Sequence, residues 1–98
     1  MIRVLRLRPE AEDELTEALN WYEKQVDGLG VEFLSAVEAC FQSIIRHPLS
    51  YPVVHKTMRR ALLRRFPYEI FYVSTSTQIM VLAVFHARRD PERWMGRA

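Results

Sequence analysis

Two stretches in the first half of the chain repeat apolar residues with the spacing of an α-helix. The first stripe consists of Ala11, Leu15, Ala18, Leu19 and Tyr22, and its steps of four, three, one and three residues place it on one helical face. Pro9 suits the first helical position, and the acidic residues after it suit a helix N-terminus. The pattern predicts a helix from Pro9 to about Gln25.

The second stripe begins after a break at Asp27–Gly30, where two glycines in three residues favour a tight connection. Its members are Phe33, Leu34, Val37, Cys40, Phe41, Ile44 and Ile45. Pro48 ends this helix just past His47, since the residue before a proline avoids helical geometry. The two stripes therefore predict an αα-hairpin.

Strand-like patterns occupy the beginning and the second half of the chain. The predicted strands are Ile2–Leu7, Arg60–Arg65, Tyr68–Ser74 and Gln78–His86, with a polar turn at 74–77 and a final helical turn at Pro91–Met95 that includes Trp94. Short connections make the last three strands an antiparallel meander. We predict an α+β fold of order βααβββ, with a small, mostly antiparallel sheet. The helical hairpin packs on one face and leaves at least part of the other open.

Composition fits one domain that spans residues 1–98. Of the 98 residues, 49% are apolar, which is enough for a packed core. The longest apolar run, Ile79–Phe85, is too short to cross a bilayer, and the first residues lack the apolar segment of a secretory signal. The single cysteine, Cys40, excludes an intrachain disulfide. We expect a soluble, cytoplasmic protein that does not associate with membranes.

Charge divides the chain into an acidic half and a basic half. Residues 1–50 carry 5 Lys/Arg against 9 Asp/Glu, whereas residues 51–98 carry 9 against 3. The basic half could contact nucleic acid or another acidic surface. The plainer interpretation is a solvated face.

A basic cluster precedes the aromatic strand. It consists of His55, Lys56, Arg59, Arg60, Arg64 and Arg65. Arg60, Leu62 and Arg64 share a face if they lie on one strand, as do Tyr68 and Tyr72 on the next. Arginines beside aromatic rings on an open sheet are typical of single-stranded nucleic-acid binding. The alternative is a strand edge that arginines protect from aggregation.

A second polar group, His86, Arg88 and Arg89, follows the last strand. It could bind phosphate or perform acid–base chemistry, or it could be a polar strand exit with Asp90 capping the turn at Pro91.

Other candidates are weaker. The histidines lack metal-ligand spacing, so we expect neither a metal nor a cofactor. Cys40 lies on a core stripe and is expected to be structural. Glu14 and Glu17 share a helix face that we expect to be solvated.

Four segments resemble the RelE/ParE superfamily of toxins from bacterial type II toxin–antitoxin modules, also called plasmid stabilisation proteins. They are NWYEKQVDGLGVEFL (20–34), HPLSYPVV (47–54), RRALLRRFPYEIFY (59–72) and VFHARRDPERW (84–94). The resemblance covers nearly the whole chain. It implies a βααβββ toxin that a cognate antitoxin neutralises in a hetero-oligomer, through contact residues that the sequence does not identify.

The superfamily has two main branches with different targets. RelE-like members enter the ribosome and cleave mRNA, whereas ParE-like members inhibit DNA gyrase. In this chain Arg60 and Arg89 match basic positions of the cleaving members. Leu62 and Glu69 replace two others, and Trp94 or Met95 stands where those members carry a tyrosine. The resemblance therefore favours the ParE-like branch and a protein that is not an enzyme.

The sequence thus predicts a gyrase-inhibiting toxin, with two alternatives. One is a ribosome-dependent mRNA endonuclease that would use Arg60, Arg64, His86, Arg88 and Arg89. The other is a non-toxic remnant that only binds its antitoxin. The predicted target-binding surface consists of Arg59, Arg60, Arg64, Arg65, Tyr68, Arg88 and Arg89.

Overall fold

The structure, a computed structural model, describes residues 3–88 and 96–97. Its helices are α1 (Pro9–Gln25) and α2 (Leu29–Arg46), and its strands are β1 (Val4–Leu7), β2 (Val53–His55), β3 (Met58–Leu62), β4 (Tyr68–Ser74) and β5 (Gln78–His86). Ile2, Arg89 and the predicted turn at Pro91–Met95 lie outside the described residues.

The predicted α+β class is confirmed, with one strand more than expected. The bounds of α1, β4 and β5 coincide with the prediction, while β3 ends at Leu62 and leaves Arg64 beyond the strand. The prediction missed β2, which has only three residues and pairs irregularly with β3. A strand this short carries no readable alternation, so its only sequence signal was the valine pair.

The five strands form one sheet in the order β1-β5-β4-β3-β2. Neighbours from β2 to β5 are antiparallel, whereas β1 runs parallel to β5. The near face of the sheet, which the helices cover, carries Tyr68, Ile70 and Tyr72 from β4. These pack with Phe33 and Val37 of α2 in the main core.

The far face, on the opposite side, carries the alternate residues of the same strands. Phe71, Ala83 and Phe85 of this face are almost fully buried, although neither helix lies over them. The guanidinium of Arg97 lies over the Phe85 ring, 4.8 Å from its centroid. The far face is therefore only partly open to solvent. The clearest exposed position is Leu62, which is 61% exposed.

A glycine-dependent turn joins the two helices. Gly28 has φ = 90°, a left-handed conformation that glycine adopts without strain. The Glu23 carboxylate accepts hydrogen bonds from the N–H groups of Gly28 and Gly30, both at 2.9 Å. A Cβ atom at Gly30 would lie 2.9 Å from that same carboxylate. Both glycines thus suit the tight connection between the helices, where Glu23 binds the backbone.

Within the described residues, neither helix is long and apolar enough to span a membrane.

Candidate functional site

Arg60 is the predicted site residue that lies on the far face. It pairs across the sheet with Phe71, and its side chain is 38% exposed. It forms an ion pair with Glu69, whose Oε1 lies 3.8 Å from Nη1. Burial raises the pKa of Glu69, and the positive charge of Arg60 only partly opposes this effect. When Glu69 is ionised, it offsets the charge that Arg60 would offer to a phosphate.

Arg59 points to the opposite side of β3 and binds the protein's own backbone. Its Nη1 donates to the carbonyl oxygens of Tyr51 at 2.6 Å and Leu49 at 3.2 Å. These contacts give Arg59 a structural role that competes with its predicted place in the target-binding surface. Arg59 anchors the connection between α2 and β2, and its guanidinium is already engaged there.

Tyr68 and Tyr72 do share a face, as predicted, but it is the covered near face. Tyr68 is 8% exposed and Tyr72 is fully buried. The Tyr68 ring meets those of Phe33 and Tyr22 edge-on, with centroids 5.1 and 6.1 Å apart. The Tyr72 hydroxyl donates to the Pro48 carbonyl at 2.7 Å, and burial raises its pKa to about 12. The interpretation of these rings as an aromatic platform beside Arg60 is therefore wrong, because both are core residues on the other face.

Three arginines lie at one end of the sheet. Arg64 and Arg65 are in the β3–β4 connection, and Arg88 follows β5; all three are exposed. The hydrogen bond from Ala87 N–H to the Pro67 carbonyl, 2.7 Å, joins the two segments. We call Arg64, Arg65 and Arg88 the basic end.

One member of the basic end has a defined partner. Arg65 forms a 2.8 Å ion pair with Glu32 of α2, with both side chains more than half exposed. An exposed pair of this kind contributes little to stability, so Arg65 can exchange Glu32 for another acidic group.

His86 lies on the near face, opposite Tyr68 in the β4–β5 ladder. The two ring centroids are 5.3 Å apart, and His86 Nδ1 accepts a 3.2 Å hydrogen bond from the Arg88 N–H. Arg60 and His86 therefore face opposite sides of the sheet. The residues predicted for an endonuclease are not assembled into one site, and Arg89 of that set lies outside the described residues.

A cleft of about 520 Å³ lies between α1 and the end of β5. Glu17 and Trp21 line it from α1, while Tyr68, His86 and Arg88 line it from the sheet end. Trp21 is 56% exposed. Trp21 is not among the predicted site residues; its signal in the sequence is a large aromatic residue that lies off the apolar stripe of α1.

Glu14 also lines this cleft, but its carboxylate is engaged. It forms an ion pair with Arg97, with Nη2 to Oε2 at 2.8 Å, and its side chain is only 13% exposed. The expectation that Glu14 is solvated is therefore wrong. Its partner stands 83 residues later, and no sequence spacing indicates such a contact.

No group of three or more possible metal ligands occurs among residues 3–88 and 96–97. Cys40 is half-buried, and burial raises the pKa of its thiol to about 11. A thiol that stays protonated at neutral pH is a poor nucleophile. This arrangement suits the structural role predicted for Cys40.

The chain matches known proteins along most of its length. A family model described as the ParE toxin of type II toxin-antitoxin system, parDE, covers residues 5–91. Toxin ParE2 of Mycobacterium tuberculosis, from strains CDC 1551 / Oshkosh and ATCC 25618 / H37Rv, is 34% identical over 95 residues. That alignment covers 93% of this chain and 88% of the relative.

A solved structure shows the same fold at low sequence identity. It is described as a chromosomal ParDE TA system from P. aeruginosa and superposes with a TM-score of 0.64 at 16% identity. The match covers 89% of this chain and 98% of that one. Fold and family model together define the class as a toxin of a type II toxin–antitoxin system. Within that class, the chain belongs to the ParE toxin family.

Proposed function

We propose that this ParE-type toxin inhibits DNA gyrase in the cytoplasm and is neutralised by a cognate antitoxin. The observation that carries the choice of target is the placement of Arg60 and His86 on opposite faces of the sheet. Phosphoryl transfer needs basic groups that converge on one phosphate. Inhibition by binding needs only a complementary surface.

The surroundings of Arg60 support the same choice. Glu69 lies 3.8 Å from its guanidinium, so a phosphate placed on Arg60 would also approach a carboxylate when Glu69 is ionised. The neighbouring far-face residue, Leu62, is exposed and uncharged. Arg60 is thus a partly compensated arginine next to an uncharged side chain, which makes this part of the far face a weak site for stabilising developing negative charge.

We assign the target-binding surface to the basic end together with Arg60. Arg64, Arg65 and Arg88 are exposed on two adjoining segments, so an acidic surface of gyrase or the DNA bound to it could meet all three. Arg59 and Tyr68 are left out because of their structural contacts. Arg89 stays in the proposal from its sequence position alone.

A cognate antitoxin is the expected partner in a hetero-oligomer. The solved relative is described as a ParDE toxin–antitoxin system, which supports an equivalent partner for this chain. The second half of the chain is the basic one, and its Arg64, Arg65 and Arg88 are exposed. An antitoxin that covers the basic end would compete directly with the target.

The test is expression of the toxin with two readouts, gyrase-linked DNA breaks and cuts in ribosome-bound mRNA. We expect DNA breaks without mRNA cutting, and relief when the antitoxin is co-expressed. Arg64→Ala combined with Arg88→Ala should weaken toxicity more than the control Arg46→Ala, an exposed arginine at the end of α2. Arg60→Ala alone should weaken it only partly, because few single contacts dominate an interface.

Two other results would contradict the proposal. Prompt mRNA cutting without DNA breaks would identify a ribosome-dependent endonuclease, and Arg60→Ala should then abolish cutting. Absence of growth arrest from a folded toxin that still binds its antitoxin would identify a non-toxic remnant.

A further inference from the structure

Strand β5 has an edge that a neighbouring strand covers for only half its length. β1 has four residues and pairs with Gln78–Val81. The Arg8 N–H then donates to the Val81 carbonyl at 3.0 Å, and β5 continues for five further residues to His86. β4 pairs with the opposite edge of this second half, Leu82–His86, but in the part of the chain that the structure describes no strand pairs with it on the β1 side.

Two side chains bind main-chain groups along that second half. Glu14 Oε1 accepts a 3.0 Å hydrogen bond from the Val84 N–H. Arg97 Nη1 donates to the Leu82 carbonyl at 3.1 Å. A neighbouring strand would use these same two groups for backbone pairing. Side chains from α1 and the C-terminus thus take the place of a strand.

The same two side chains also bind each other. Arg97 Nη1 and Nη2 lie 2.9 and 2.8 Å from Glu14 Oε1 and Oε2, which is the two-bond geometry of a strong arginine–carboxylate pair. Arg97 is 22% exposed and Glu14 13%, so solvent screens the pair less than an exposed one. We call these two residues the clasp.

The strand segment under the clasp has the composition of a self-pairing edge. Leu82–His86 reads Leu-Ala-Val-Phe-His, with no proline and no charge when the histidine is neutral. Unprotected edges of this kind pair with other strands. Two copies that meet antiparallel present the same uncharged segment to each other, so no electrostatic repulsion opposes the pairing.

We propose that the clasp keeps the second half of the β5 edge closed, and that opening it creates a self-association site for a second copy of this chain. The first half of the edge needs no such device because β1 already pairs with it. The proposal concerns Glu14 and Arg97, which lie outside the proposed target-binding surface. It therefore does not depend on the identity of the target.

An ordinary structural ion pair would also stabilise the chain, so stability alone cannot test the proposal. Two readouts report on the edge itself: hydrogen exchange of the Val84 amide and the oligomeric state. The variant is Glu14→Gln in the full chain, which removes the charge and keeps the shape. The matched control is Glu17→Gln, one turn further along α1 on the same cleft.

We expect wild type and Glu17→Gln to sediment as monomers over the micromolar range. Glu14→Gln should self-associate at least tenfold more tightly and dissociate on dilution, with unchanged helix content by circular dichroism. At dilutions where the variant is monomeric, its Val84 amide should exchange at least tenfold faster than in wild type. A folded, monomeric Glu14→Gln protein, or equal association by Glu17→Gln, would overturn the proposal.

Two more variants keep the test decisive if Glu14→Gln folds poorly. Arg97→Ala breaks the clasp without altering α1, so it should also self-associate. Arg97→Lys keeps a cation that can donate to the Leu82 carbonyl and pair with Glu14, so it should associate less than Arg97→Ala. Association by Arg97→Lys as tight as that of Arg97→Ala, or a folded, monomeric Arg97→Ala protein, would show that the clasp does not control the edge.

Discussion

The near and far faces of the sheet draw on alternate residues of the same strands, yet they perform different tasks. On β4, Tyr68 and Tyr72 face the helices and are buried, while Glu69 faces away beside Arg60. The near face gains its stability from packing under α2. The far face combines buried apolar residues with a charged pair near its β3 end. A one-residue step along a strand thus separates core from candidate binding surface.

The largest loss of stability should come from a substitution in the core that covers the near face. Phe33→Ala removes a fully buried ring that contacts Tyr22, Phe66 and Tyr68. We expect the free energy of unfolding to fall by about 3–5 kcal/mol, measured by urea denaturation. The far-face comparison is Leu62→Ala, which removes a side chain that is 61% exposed and should change stability by less than about 0.5 kcal/mol.

These two variants test whether the near and far faces contribute differently to stability. A loss for Leu62→Ala as large as that for Phe33→Ala would show that the far face is a second core near Leu62. If Phe33→Ala does not fold, Phe33→Leu supplies the near-face value with a smaller cavity.

The sequence predicted elements better than it predicted faces. Apolar periodicity located both helices and the bounds of β4 and β5, because those segments are long enough for a period to be read. Alternation also showed that Tyr68 and Tyr72 share a face. It could not tell which face the helices cover, so the interpretation that sets the tyrosine rings beside Arg60 on an open face is wrong: both rings are buried.

The remaining misses share a physical cause, which is contact between residues far apart in the chain. Glu14 and Arg97 meet across 83 positions, and Arg59 turns toward carbonyl groups of the preceding connection. Local patterns carry no information about such partners. The separation of Arg60 from His86 likewise becomes visible only once the strands are paired.

A smaller loss of stability is expected when Cys40 of α2, which packs against the core on the near face, is replaced. Its thiol packs against the core, and burial raises its pKa to about 11. Cys40→Ala should therefore keep toxicity and lower the free energy of unfolding by about 1 kcal/mol. In the folded wild type, a thiol reagent should react far more slowly than with an unfolded control, because little thiolate forms at neutral pH. Loss of toxicity in a folded Cys40→Ala protein that still binds antitoxin would contradict a purely structural role.

The smallest effect concerns Glu69 on the far face and depends on pH. Burial raises the pKa of its carboxyl above the ordinary 4.5, and the attraction of Arg60 at 3.8 Å only partly offsets this. Because the folded protein holds this proton more tightly than the unfolded chain, the associated stability is present at low pH. It is lost as pH rises above about 4.5 and through the raised value. Glu69→Gln removes the ionisation and should abolish that loss. The melting temperature of the variant relative to wild type should therefore increase between acidic and neutral pH.

The control Glu32→Gln removes a carboxylate from the exposed pair with Arg65 and should keep the wild-type trend. A wild-type protein that instead gains stability relative to Glu69→Gln over this range would show that the Arg60 pair outweighs burial. The far face would then hold a stabilising ion pair, and Arg60 would be less free to meet a target.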